Sequence, residues 1–512
     1  MKNLIDYYAQ SIQWASDNTM KYILGIDLGT SSLKGSVYSF NGYLISSSSC
    51  GYDLIITQKG FSEQDPNDWI YAFINVFEDL KLKIKDFDKK LEAISFSGQM
   101  HSLVLLDENK SILRNAILWN DTRTSDQCEF IMDSYGDELI RITKNKAIEG
   151  FTLPKILWIK ENEPELWNRV RHVLLPKDYL RFFLTGNLNM DYSDAAGTLL
   201  LNIYDKERSD EILNKFNIDK SILPSLVEST YYVGDVLPDI SDRLGLKNNV
   251  KVYAGAADNA ASAIGSGIIS NYIGLVSIGT SGVVLANKAR LSDVDNGILH
   301  TFNHAMHNSY YSMGVTLAAG KSLDWFKKTF ANNISFDELL ISLETIRPGA
   351  DGLLFTPYIQ GERTPYNDST IRGSFTGIDI SHTFNHFVKS VIEGITFSLK
   401  DCLELIDSYS DTNIDTLVSV GGGSKNKLWL QLQSDIFNKN IITLEMENGP
   451  STGAAMIAAV GLGIYDDFVS CSEAFVNYKD NYMPNRHNSD LYNNIYKNYK
   501  NIYHRTKHDF IL

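Results

Sequence analysis

Apolar runs in this chain repeatedly stop at glycine. KYILGIDLG (21–29), LEAISFSG (91–98), VKVYAGA (250–256), IGLVSIG (273–279) and DTLVSVGGG (415–423) each read as a strand that hands over to a loop at a residue without a side chain. Helical patterns fill the stretches between them. That alternation predicts an α/β architecture, and in sheets of this kind ligands bind where the strands end. Two of the endings are nearly the same, LGIDLGTSS at 24–32 and GLVSIGTSG at 274–282.

A chain of 512 residues is too long for one core, because single domains split beyond roughly 250 to 300 residues. Two large domains are expected, 20–265 and 266–512, with the change near residue 265 and with 1–19 as an extension of unknown role. The formal net charge of -15 argues against nucleic acid or an anionic membrane as the main partner, since both require a positive field. Any anionic ligand must therefore be held locally. Cys50, Cys128, Cys402 and Cys471 show no CxxC spacing, which points to reduced thiols rather than a zinc site or a disulfide framework. The first nineteen residues lack the charged start and continuous apolar stretch of a secretory signal, which leaves Met20 as a candidate start. No run approaches eighteen apolar residues, the nearest being GAAMIAAVGLGI at 453–464, so a soluble, cytoplasmic protein is expected. The Tyr-, Asn- and Lys-rich tail from about residue 476 reads as a terminal helix with no chemistry of its own.

In LGIDLGTSSLKG a tight β-hairpin would bring backbone N–H groups and the Thr30, Ser31 and Ser32 hydroxyls against phosphate oxygens. Asp27, just before the turn, could hold Mg²⁺ through water and so offset the polyphosphate charge. Taken alone, such a hairpin is an ordinary turn. A second one in SIGTSG, one per domain, favours a phosphate clamp. The triple glycine of GGGSKNKLWLQLQSDIF leads into a helix with Leu428, Leu432 and Ile436 at four-residue spacing, and backbone without Cβ atoms can approach a flat ring. Gly421, Gly422 and Asn426 are therefore candidates for adenosine binding, with a plain strand-to-helix turn as the alternative. Asp258, before the small-residue helix of AGAADNAASAIGSGII, either caps that helix or acts as general base toward a hydroxyl.

Two further stretches are set aside. GVTLAAGKS at 314–322 has five residues between its glycines, where the phosphate loop requires four, so Lys321 reads as a helix-surface lysine. His300, His304 and His307 of HTFNHAMH lack neighbouring carboxylates and read as core histidines rather than zinc ligands.

The chain resembles the FGGY family of carbohydrate kinases from about Lys21 to about residue 505. The resemblance is carried in order by SGQMHSLVLLD, AILWNDTR, GFTLPKILWIKENEPE, LLPKDYLRFFLTG, YSDAAGTLLL, AGAADNAASAIG, SIGTSGVV, MGVTLAAGKSLDWF, GERTPYND and GGGSKNKLW. It implies two actin-like, ribonuclease-H-like ATPase domains with the active site in the cleft between them. It implies an enzyme that uses ATP and Mg²⁺ to phosphorylate a sugar, D-xylulose to D-xylulose 5-phosphate, with ribulose, a polyol or a sugar-sensing ATPase as alternatives. It makes Asp258 the proton acceptor for the terminal hydroxyl and puts Met100, His101 and Asn259 in the sugar pocket. Asp27 would organise Mg²⁺; Thr30, Ser31, Gly279 and Thr280 would face the phosphates; Gly421, Gly422 and Asn426 would face adenosine. A homodimer is expected by the same analogy. The chain departs from the family at Ser102 and Ala256, where glycine is common, and at Tyr366, where histidine is usual. Ser102 is expected either to narrow the sugar pocket or to add a hydroxyl contact there.

Overall fold

A computed structural model describes residues 20–292, 296–409 and 413–509; the 1–19 extension lies outside them. The chain divides into two compact units. One takes residues up to Ile269 together with Phe302–Tyr310 and Asn448–Val476; the other takes Ser270–Thr301, Tyr311–Glu447 and the chain from Asn477 on.

The first unit is built on a seven-stranded sheet of β1 (Tyr22–Leu28), β2 (Ser32–Ser39), β3 (Leu44–Gly51), β4 (Leu91–Gly98), β5 (Tyr232–Asp235), β6 (Lys251–Tyr253) and β7 (Ala256–Ala257). Its order is β5-β6-β4-β1-β2-β3, with β7 paired to the end of β4. β1 is antiparallel to β2 and parallel to β4, so hairpin and crossover connections meet on one strand. The Pro66–Lys83 helix covers β2 and β3 because Asp65 caps its N-terminus and Trp69, Phe73, Val76, Phe77 and Leu80 form one buried stripe. Each such side chain contributes roughly 1.5–3 kcal/mol when fully buried. Small residues bring the other layer close. A Cβ on Gly25 of β1 would lie 2.0 Å from the Ser451 carbonyl oxygen, and one on Gly453 would lie 1.9 Å from that of Ala261. The Gly449–Gly461 helix can therefore press onto both β1 and the Asp258–Gly265 helix.

The second unit repeats the plan. Its sheet runs β10-β11-β9-β8-β12-β13-β14, made of β8 (Ile273–Ile278), β9 (Gly282–Lys288), β10 (His300–Asn303), β11 (Tyr310–Thr316), β12 (Thr416–Gly421), β13 (Asn440–Leu444) and β14 (Tyr478–Tyr482). Again the first strand of the hairpin, β8, is antiparallel to its partner β9 and parallel to β12. The buried Phe384–Ser408 helix packs on β9, and the tail forms the Arg486–Thr506 helix, seating Tyr492, Tyr496 and Tyr499 in the core. His300 and His304 are buried as expected, whereas His307 is exposed and bonds the Glu228 carboxylate at 2.9 Å, because the turn after β10 carries it to the surface. No helix among the described residues is long and apolar enough to cross a membrane.

Candidate active site

In the first unit the hairpin, Asp27 and Asp258 converge on the end of β4. Ser97 of that strand pairs with Asp27 of β1 on one side and with Ala256 of β7 on the other. Met100 and His101 follow immediately. The Ser97 hydroxyl donates to Asp27 Oδ1 at 3.1 Å. Burial nevertheless pushes the Asp27 carboxyl up to about 6, against the pull of Ser97 and Lys34. Asp258 is the first residue of its helix, with Ala257 at the cap position. Its Oδ1 accepts the free first-turn Asn259 N–H at 2.7 Å and Asn259 Nδ2–H at 3.0 Å, a helix-end role compatible with proton acceptance. Burial, with the Asp27 charge adding to it, raises the Asp258 carboxyl to about 7 despite these bonds.

Asn259 Nδ2 also lies 3.6 Å from Met100 Sδ, which ties the carboxylate to the segment after β4. His101 adopts a left-handed φ of 68°, a conformation uncommon outside glycine. Its Nδ1–H donates to the Gly197 carbonyl at 2.8 Å, and its ring lies 4.6 Å from that of Phe151 and 5.9 Å from that of Phe302. Gly197 is required there, because a Cβ would sit 2.6 Å from His101 Nδ1. In the hairpin, Gly29 N–H closes the turn on the Ser32 carbonyl at 3.0 Å, Thr30 Oγ1 accepts from Trp119 Nε1–H at 2.8 Å, and Ser31 stays exposed.

In the second unit a cavity of about 560 Å³ is lined by Gly279 and Thr280 of the hairpin, Gly422 and Asn426 after β12, and a wall that includes Lys321 and Phe336. Gly279 N–H closes its turn on the Ser281 carbonyl at 3.0 Å, much as Gly29 does in the first unit. Asn426 Oδ1 caps the Lys427–Phe437 helix by accepting from Leu428 N–H at 2.9 Å, and Trp429 also lines the cavity. Gly421 stands behind the lining. Its φ of 84° and a Cβ position 2.7 Å from the Ile278 carbonyl demand glycine, and its N–H donates to Glu447 at 3.0 Å. The cavity presents glycine backbone, Lys321 and Lys425, the rings of Phe336 and Trp429, and the carboxylates of Asp324 and Asp337; glycine backbone, ammonium groups and rings suit a phosphorylated ligand with a flat base.

The N-terminal domain of the FGGY family of carbohydrate kinases matches residues 22–265, and the family's C-terminal domain matches residues 274–462. This chain belongs to that family. The xylulose kinase of Lactococcus lactis is 52% identical over 95% of this chain and 97% of its own length. That of Bacillus subtilis is 50% identical over 95% and 98%. Among solved structures, a ligand-bound xylulose kinase from Lactobacillus acidophilus superposes with a TM-score of 0.92 at 28% identity, covering 96% of this chain and 99% of that one.

Within this FGGY kinase, several residues by the candidate site carry no sequence signal that isolates them. Lys321 is the exposed helix-surface lysine that its failed phosphate-loop spacing predicts, its ammonium on Gln360 Oε1 at 2.5 Å, and it also borders the cavity of the second unit. The Gly320–Phe330 helix starts against the hairpin, with Gly320 N–H on the Gly279 carbonyl at 2.8 Å and Lys321 N–H on that of Thr280 at 3.1 Å. Trp119 reaches Thr30 from a loop far away in sequence. Ser102 does not behave as expected: it is fully buried, donates to Gln99 Oε1 at 3.2 Å and accepts from Trp119 N–H at 3.0 Å. Its hydroxyl braces the loop. Ala256 is buried in β7, and Tyr366 stacks on Tyr503 with ring centroids 3.6 Å apart.

Proposed function

We propose that the protein phosphorylates D-xylulose to D-xylulose 5-phosphate at the expense of ATP. The observation that supports this most is the Asp258 carboxyl, held near neutrality at the start of a helix and tied through Asn259 to Met100. Two relatives named xylulose kinase, about half identical along nearly the whole chain, support the choice of sugar.

In this reading Met100, His101 and Asn259 hold the ketose with its terminal hydroxyl at Asp258. The hydroxyl oxygen bonds to the γ-phosphorus, the bond from that phosphorus to the β,γ-bridging oxygen breaks, ADP leaves, and the hydroxyl proton passes to the Asp258 carboxylate. Because the transition state is loose, alignment and charge neutralisation carry most of the catalysis and the proton moves late. Thr30, Ser31, Ser32, Gly279 and Thr280 are read as phosphate contacts, and Gly422 and Asn426, backed by Gly421, as the adenosine contacts. Asp27 suits a water-mediated Mg²⁺, because its carboxylate is fixed by Ser97 and stands beside a second carboxylate whose repulsion a cation offsets. When bound, the ion would supply neutralisation of phosphate charge. We further read the enzyme as cytoplasmic and as a homodimer; light scattering of the purified protein tests the second point.

Coupled ADP release with D-xylulose, D-ribulose, L-ribulose, glycerol and no sugar tests the reading, with Asp258→Asn run in parallel. D-xylulose should dominate, and the variant should lose turnover while still binding ATP. Preference for another sugar in the panel would reassign the substrate, and ADP release indifferent to all of them would favour a sugar-sensing ATPase.

A further inference from the structure

Beneath the segment that delivers Asp258 lies a buried ionic cluster of Lys177, Asp178, Arg181, Asp191 and Asp194, all close to zero exposure. The Lys177 ammonium bonds Asp191 Oδ1 and lies 3.1 Å from Asp194 Oδ2 and 3.4 Å from Asp178 Oδ1. Asp178, Asp191 and Asp194 are close enough together to suggest a cation site, but that cation is the ammonium itself. Burial works against it, yet the carboxylates outweigh burial and hold it above the ordinary lysine range. Burial pushes the Asp194 carboxyl well above its ordinary value, with the Lys177 ammonium pulling the other way.

Such a cluster is expensive. Apolar side chains of the same volume are often as stabilising, so a buried ion pair is weak grounds for a purely stabilising role. What this one does is grip backbone. Ala257 N–H, the amide before Asp258, donates to Ser193 Oγ at 2.9 Å, and Ser193 Oγ–H donates to Asp191 Oδ2. Arg181, paired with Asp178 at 3.0 Å, donates from Nη1 to the Ala254 carbonyl at 2.6 Å. Between these two holds the chain turns at Gly255, whose φ is 80° and whose Cβ would fall 2.1 Å from the Phe96 carbonyl of β4. Residues 254 to 257 are thus clamped at both ends and pressed against the strand that carries Ser97.

We propose that Lys177, acting through Asp191 and Ser193, is a positioning residue for phosphoryl transfer: with Arg181 it fixes the backbone that aims the Asp258 carboxylate at the sugar hydroxyl. This rests on the reading of Asp258 given above. None of these side chains touches the reacting atoms in that reading.

The test is Ser193→Ala in the full chain, which removes the acceptor for Ala257 N–H and leaves the ion pairs in place, with Ser193→Thr as the variant that keeps a hydroxyl. Ser193→Ala should lower kcat by about 10- to 100-fold while the KM for ATP stays within about twofold, and Ser193→Thr should recover most of the loss. Recovery by the hydroxyl is a result that a merely loosened fold would not give. A Ser193→Ala enzyme with wild-type kcat overturns the proposal. Crystal structures of wild type and Ser193→Ala give a readout that needs no sugar: a displaced Asp258 carboxylate is expected, and superimposable carboxylates overturn the proposal. If wild type turns over no sugar at all, the functional reading fails, and the crystal comparison alone decides this inference.

Discussion

Asp27 and Asp258 reach β4 from opposite sides, Asp27 pairing with Ser97 across one edge and Ala257, which precedes Asp258, pairing with Gly98 across the other. The register leaves the two carboxyls near enough that the Asp27 charge adds to burial in raising Asp258 to about 7. An acid at that value is about half ionised at neutral pH, which suits a group that must accept a proton and release it again.

The first prediction follows from that pairing. If the deprotonated Asp258 is the competent form, kcat/KM for the sugar should rise with pH through about 7 and then level off. Removing a like charge favours ionisation, so in Asp27→Asn the Asp258 carboxyl should titrate at lower pH than in wild type. Carboxyl titration of the ligand-free protein by NMR checks the shift directly. An Asp258 that titrates at the same pH in both proteins would show that the two groups do not communicate.

Stability should respond to pH in an unusual direction. Burial holds Asp27 at about 6 and Asp258, Glu362, Glu393 and Asp401 at about 7. The folded state therefore binds more protons than the unfolded chain between about 4 and 7, and stability falls as pH rises through that window. His304, held down to about 3 by burial, and His172, lowered by burial and by Lys110, oppose the trend below their ordinary value, but they are two groups against five carboxyls. The Tm at pH 5.5 should exceed that at pH 7 by a few degrees. A Tm that climbs steadily across the same interval would contradict the burial of these carboxyls.

Both hairpins, their Gly-Thr-Ser turns and the glycines after β12 were legible in the sequence, because a strand that ends in small residues displays its own local conformation. Asp258 reads from the sequence as helix-end residue or base, two compatible roles; the structure puts Ala257 at the cap position and the Asp258 carboxylate on the first-turn Asn259 N–H. Less accessible were features that depend on distant segments meeting. Asn448–Val476 joins the first unit through glycine contacts with β1 and with the Asp258–Gly265 helix, and no local pattern shows which strand a helix will cover. Lys321 is on the helix surface, as its spacing indicates, but the two backbone hydrogen bonds that bring its helix to the second hairpin have no local signal. His307 reads as a core histidine for want of carboxylates nearby in sequence, yet one turn carries it outside to Glu228, a carboxylate distant along the chain.

The second cavity can be tested apart from the chemistry. A Cβ on Gly422 would meet only ordinary contact with the Ile278 carbonyl, at 3.5 Å, so Gly422→Leu should fold while its side chain occupies space in the cavity. Affinity for ATP should fall by at least about tenfold, measured by calorimetry, with little change in Tm. Asp258→Asn should do the reverse, keeping ATP binding and losing turnover. Unchanged ATP binding in Gly422→Leu would place the nucleotide elsewhere.

Ser102 gives the sharpest contrast between sequence and structure. As a departure beside Met100 and His101 it suggests altered sugar choice, but its hydroxyl is spent on Gln99 and on the Trp119 N–H, and its side chain is fully buried. Ser102→Gly should therefore leave the ranking of sugars unchanged and cost stability instead, about 1–2 kcal/mol from the lost bonds and the freed backbone. The same coupled assay, run on the sugar panel at a temperature where the variant is folded, reads the ranking, and denaturant unfolding reads the cost. A shift of preference from D-xylulose toward D-ribulose or glycerol, with stability intact, would mean that Ser102 faces the sugar after all, and the bracing role assigned to its hydroxyl would fall.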